Sequence, residues 1–178
     1  VIAPPCTTNG SVWSNGFAGV WHLAETSGPA MDSTSNGNNG VLSPAGVTRG
    51  TAGPVDGNYT FSKPSSGHLT CGTNASLNVG HATWEAWAYP TSFSEYFNIL
   101  GKGYSAAYWF GFMQSTGKIR LHCGGPAHDS ASACTLNRWV HIMSTWDGKH
   151  VRHYINGRQD IAIAETSAPK FNPTKATR

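Results

Sequence analysis

RWVHIMSTWDGKHVRHYINGRQDIAIA, Arg138 to Ala164, is the stretch that decides the fold. Asp147-Gly148 and Asn156-Gly157 each stand between runs in which apolar and polar residues alternate. Such dipeptides supply the positive φ angles of a tight hairpin turn, and a period of two belongs to a strand. The stretch therefore predicts three consecutive antiparallel strands, Arg138–Trp146, His150–Ile155 and Arg158–Ala164.

Working outward, short β-prone runs recur and helical periodicity is nearly absent. GVWHL (Gly19–Leu23) comes first, followed by polar, glycine-rich sequence to about Gly53. Asn58–Ser62, His68–Cys71 and Ala82–Tyr89 come next, the last stopped by Pro90, which cannot donate to a ladder. Phe97–Lys102, Tyr108–Gln114 and Lys118–Cys123 read as a meander, with Ser115-Thr116-Gly117 as its second turn. Many short strands with turn signals between them predict an all-β protein. The chain has 178 residues, 12% of them charged, with seven Trp, six Tyr and seven Phe. A single domain of this size buries roughly 70% of its unfolded surface, and this composition excludes a disordered chain.

The net charge of +3 is thinly spread: Lys102, Lys118, Arg120, Lys149 and Arg152 stand singly. That gives no basic face for nucleic acid, and no apolar run reaches the length of a membrane span. Sequons at Asn9, Asn58 and Asn74 fit an exported chain. The four cysteines include no CxxC, which is a poor zinc or redox pattern. The expectation is that Cys123 and Cys134 close the loop GGPAHDSASA, and that Cys6 pairs with Cys71. Four cysteines allow three connectivities. Bridges of this kind place a protein in an oxidising compartment, extracellular or at the cell surface.

GVWHL, DSTSNGNNG, ATWEAWAYP, ILGKG and RWVHIMSTWDGKHVRHYINGR follow the order seen in laminin-G-like domains of the concanavalin A-like superfamily. The chain resembles the bacterial and archaeal extracellular type over roughly residues 12–164. The piece W-x-H-x-x-x-x-W-D-G…Y-x-N-G carries the fold and no ligand. The resemblance implies a two-sheet antiparallel jelly-roll sandwich, here one domain over 1–178. Residues 1–11 would be an extension and 165–178 a loop. Such modules usually add a further strand after the last hairpin, and Arg178 comes before it. The expectation is therefore a sandwich apparently lacking its last strand. Either the chain is part of a longer protein, or a neighbouring subunit donates the strand.

Asp32 to Gly40, DSTSNGNNG, supports two readings. Asp32, Thr34, Asn36 and Gly37 match the first half of an EF-hand loop, but Ser43 stands where the bidentate glutamate belongs. In one reading Asp32, Thr34, Asn36 and Asn38, with backbone oxygens, hold a structural calcium. In the other the stretch is an Asx turn bonded to its own backbone, and a single carboxylate is little charge for a divalent ion.

Glycosidase chemistry needs two carboxylates about 5 to 9.5 Å apart. The E-x-D-x-x-E strand of the superfamily's glucanases is absent, and Glu85 stands alone in TWEAW. If Trp84, Ala86 and Ala88 face the core, then Thr83, Glu85, Trp87 and Tyr89 share the other face. Glu85 is then a ligand contact or a hydrogen-bond acceptor for His141. The resemblance makes His141 and His22 buried, hydrogen-bonded groups. His150 and His153 point to opposite faces, and no G-x-S-x-G elbow occurs. The aromatics Trp87, Tyr104 and Trp109 are the candidate sugar platforms. The function expected is non-catalytic recognition or adhesion, with polysaccharide or glycan as partner. The alternative is a structural subunit of a surface layer or filament.

Overall fold

The computed structural model describes residues 11–104 and 106–178. The contacts group these residues into two compact units, 11–77 with Ala176–Arg178, and Asn78–Lys175.

In the first unit, β1 (Val41–Leu42) pairs with β4 (Leu69–Thr70), and β2 (Val47–Thr51) pairs with β3 (Asn58–Phe61). β1 and β2 lie in the stretch expected to be polar loop. GVWHL, expected as a strand, is not one: a single bridge joins Trp21 to Asp32. Two local features break it. Leu23 has a φ of 59°, outside the extended region. The Trp21 ring also folds back beside Gly19, and its Nε1 donates to the Asn38 carbonyl at 2.9 Å.

The second unit is a sandwich of two four-stranded antiparallel sheets. One has the order β12-β11-β10-β5, built from β5 (Ala82–Ala88), β10 (Val140–Trp146), β11 (His150–Ile155) and β12 (Arg158–Ala164). The other runs β6-β7-β8-β9, built from β6 (Phe97–Gly101), β7 (Trp109–Phe112), β8 (Lys118–His122) and β9 (His128–Ala133). Trp84, Ile142 and Val151 from the first sheet meet Phe110, Phe112, Ile119 and Leu121 from the second in one core. Each such side chain contributes roughly 1.5–3 kcal/mol when fully buried.

The three strands expected over 138–164 are present as β10, β11 and β12, with Ile142 opposite Ile155 and Val151 opposite Ile163. Their two turns differ. At Asn156-Gly157 both residues have positive φ, 51° and 76°, as a type I′ turn requires. At Asp147-Gly148 only Gly148 does, at 83°. There the Asp147 carboxylate accepts the N–H groups of Lys149 and His150 at 2.8 and 2.7 Å.

The expected Cys123–Cys134 bridge is overturned by the register. GGPAHDSASA is not a closed loop: its second half is β9, which runs back along β8. Cys123 follows the end of β8, whereas Cys134 donates its N–H to Gly117, just before β8 begins. About six residues at ~3.3 Å each separate them along the hairpin, far beyond the ~7 Å Cα limit for a disulfide. Both are buried free thiols, as is Cys71, and Cys6 lies outside the described residues.

Among the described residues, no strand follows β12. Glu165 donates its N–H to Lys149, and its carbonyl accepts from Trp146 Nε1 at 3.1 Å. In the first unit, Thr177 donates its N–H to Gly72 and accepts that of Cys71.

Candidate functional site

The outward face of the β6–β9 sheet carries the candidate site. Alternation along β7 sends Phe110 and Phe112 into the core, leaving Trp109 on the other face. Register then sets Trp109 opposite His122 on β8, and Arg120 opposite both Gly111 and Asp129 on β9. A side chain at Gly111 would run into the Phe97 carbonyl, so glycine lets β6 lie close over β7.

Two tyrosines bracket β6, Tyr96 before it and Tyr104 after it. Their rings stand edge-on to Trp109, at 6.4 Å and 79° for Tyr96 and 5.9 Å and 72° for Tyr104. Together the three rings line a cleft of about 330 Å³. Trp109 is its floor, 8% exposed, and Tyr96 and Tyr104 are walls, 50% and 46% exposed. Of the expected platforms, the structure brings Tyr104 and Trp109 together and adds Tyr96.

A polar cluster adjoins the cleft at Tyr104. Asp129 holds Arg120 by a two-pronged pair, Nε to Oδ1 at 2.6 Å and Nη2 to Oδ2 at 2.9 Å. That bond raises the guanidinium pKa. The remaining nitrogen, Nη1, lies 3.4 Å from the Tyr104 hydroxyl. Beneath Tyr104, 4.9 Å from its ring, is His122. Burial lowers the His122 pKa, and Lys170 and Arg120 lower it further.

Trp87 and Glu85 lie on the other sheet. Trp84 and Ala88 are buried, so Thr83, Glu85, Trp87 and Tyr89 face outward. Trp87 rests against His141 at 5.3 Å between centroids. Glu85 is 3.7 Å from His141 Nε2, an ion-pair distance and longer than a hydrogen bond. His141, expected to be buried, is half-exposed on this face, and His22 is likewise half-buried, beside Trp13. The most deeply buried histidine among the described residues is His153, directly opposite Ser144, whose hydroxyl lies 2.7 Å from Nδ1. Both are fully enclosed, so the pair has no access to a substrate.

A second hollow of about 350 Å³ is lined by Ser132, Ala133, Ile155, Arg158, Gln159 and Asp160. Among the described residues, no aromatic ring lines it. The Asp160 carboxylate is already engaged, accepting from the Ala131 and Ser132 N–H groups.

In the first unit, the Asp32 loop is a closed hydrogen-bond system. Oδ1 accepts from the N–H groups of Val20 and Thr34, and Oδ2 from the Asn38 N–H and the Thr34 hydroxyl, all at 2.9–3.0 Å. Asn36 and Asn38 turn their amide nitrogens toward the Ala18 carbonyl. Calcium needs oxygens converging on one point, whereas here donors converge on one carboxylate. The residues do not fit the ion. Among the described residues, no group of three His, Cys, Asp or Glu side chains is placed to hold a metal.

A laminin-G-type family model matches residues 61–177, and the chain belongs to the concanavalin A-like lectin/glucanases superfamily. The match contains the whole sandwich, but starts after GVWHL and DSTSNGNNG. Among solved structures, the chain is similar to domain 4 of AbnA, an extracellular GH43 arabinanase from Geobacillus stearothermophilus, in complex with arabinotriose. Identity is 15% and the TM-score 0.60, over 83% of this chain and 75% of that one. The binding domain of Paraclostridial Mosquitocidal Protein 1 matches at 17% identity and TM-score 0.67, over 89% of this chain and 43% of that one. A structure of botulinum neurotoxin type C, whose cell entry depends on two ganglioside molecules, matches at 14% identity and TM-score 0.59. That match covers 89% of this chain, which spans 42% of the toxin chain. No curated protein shows significant sequence similarity.

Proposed function

We propose that the chain is a non-catalytic, extracellular carbohydrate-recognition module whose site is the Tyr96–Tyr104–Trp109 cleft. The observation that carries this is the cleft itself: two exposed tyrosines standing over a tryptophan floor in about 330 Å³. Sugar rings present apolar C–H faces and polar edges. A concave, mostly aromatic site with a few fixed polar groups matches both. No carboxylate lines the cleft among the described residues, so the two acids of a glycosidase have no place in it. The fold neighbours support the reading, since one is in complex with arabinotriose and the cell entry of another depends on interaction with gangliosides. No helix among the described residues is long and apolar enough to cross a membrane.

The test is a glycan array with the full chain and with Tyr104→Ala and Trp109→Ala. Retained thermal unfolding midpoints would show that the variants fold. Binding by the parent chain, reduced at least tenfold in Tyr104→Ala, is the expected result. Array signals unchanged in both variants would move the site elsewhere. Loss in Trp87→Ala instead would place it on the β5 face.

A further inference from the structure

The structure assigns the cleft to uncharged saccharides, read through vicinal hydroxyls at the Arg120–Tyr104 rim, with Asp129 as the residue that keeps anionic sugars out. This rests on the cleft being the carbohydrate site.

An arginine beside an aromatic cleft would ordinarily favour an acidic sugar, because its fork matches a carboxylate bidentately. Here that fork is already used. Nε and Nη2 are both bonded to Asp129, at 2.6 and 2.9 Å. Only Nη1 is left outside that pair, 3.4 Å from the hydroxyl of Tyr104, which lines the cleft. A guanidinium N–H donates only, while a phenol both donates and accepts. Together they suit two adjacent sugar hydroxyls, each a donor and an acceptor. A carboxylate would gain one donor from Nη1 and meet the Asp129 charge behind it.

The nearest carboxylates offset part of the positive charge around the site. His122 feels Lys170, Arg120 and His128 against Glu165, and Glu165 lies 2.6 Å from His128. Arg120 is paired with Asp129 at 2.6 Å. An anion entering the aromatic slot would lose hydration and meet an arginine whose charge Asp129 already offsets, which is costly.

Immobilised glycans in matched pairs test this, each pair sharing a backbone with and without a sialic or uronic acid. The chain itself is expected to bind the neutral members at least tenfold better. Asp129→Asn frees the Arg120 fork and narrows that ratio toward one. Arg120→Gln with Asp129→Asn removes both charges and keeps the ratio high, which also separates charge from misfolding. A parent chain that prefers the acidic members, with binding still lost in Tyr104→Ala, overturns the charge assignment and leaves the cleft standing. Binding insensitive to Tyr104→Ala overturns the cleft and this inference with it, and so does silence across the array.

Discussion

At Asp32, four hydrogen bonds converge on one buried carboxylate, three of them from backbone N–H groups at Val20, Thr34 and Asn38. Substitution by alanine strands those donors. Hydrogen bonds to a charged group are worth about 1.5–3 kcal/mol each, and partial relaxation would leave a net loss of about 3 kcal/mol. Asp32→Ala should lower the urea midpoint accordingly. The parent chain should unfold at the same temperature in millimolar calcium and in EDTA, since a ligand of the folded state raises the midpoint. A midpoint several degrees higher in calcium would sink the turn assignment. The sequence showed which residues were involved and left two roles open. The choice between them depended on where the N–H groups point, and Val20 is twelve residues away.

β9 shows why some elements were not legible. Strands were found by apolar alternation, and β9 reads HDSASA. Its buried positions are polar. His128 is satisfied by Glu165, and the Ser130 hydroxyl accepts the Ile119 N–H at 2.9 Å and donates to Ser132 at 2.7 Å, bridging a bulge. A strand whose inner residues are hydrogen-bonded leaves no hydrophobic trace. The consequences reached the site, because the Arg120–Asp129 pair exists only through the β8–β9 register. Tyr104 and Trp109 were visible as aromatics near one strand. Tyr96 lies in the preceding loop, and that β6 would hold all three together could not be read from spacing. The hairpin also carries a prediction. Peptide mapping without reductant should yield no Cys123–Cys134 cross-link. Both thiols should resist alkylation at pH 8 until the chain is unfolded, because burial pushes them up to about 12 for Cys123 and about 11 for Cys134. A cross-linked peptide would mean that β9 does not pair with β8 as described.

Across the whole sandwich, buried histidines make stability fall in acid. Burial pushes His153 down from 6.5 to about 4. Above pH 6.5 the ring is neutral in the folded and unfolded chain alike, and its contribution is fully present. Between pH 6.5 and 4 the unfolded chain takes up a proton that the folded chain refuses, so stability falls with pH. Below pH 4 both states are protonated and this loss ends. A shift of that size corresponds to about 3 kcal/mol over the window. His122, also lowered by burial, acts in the same direction. Glu165 is held below its usual range by His128 and the Ser167 N–H, against the opposing effect of its own burial. Its contribution is present above the unfolded carboxylate's pKa and is lost as pH falls further. Urea midpoints measured from pH 7.5 to 4.5 should therefore drop steadily below about pH 6.5. His153→Gln can keep a hydrogen bond to Ser144 and carries no titrating ring. Its midpoint should be lower at pH 7.5, from imperfect packing, yet fall less steeply. Parallel curves for the two proteins would show that His153 takes up its proton without unfolding the sandwich, and that it is not enclosed between the sheets as the structure has it.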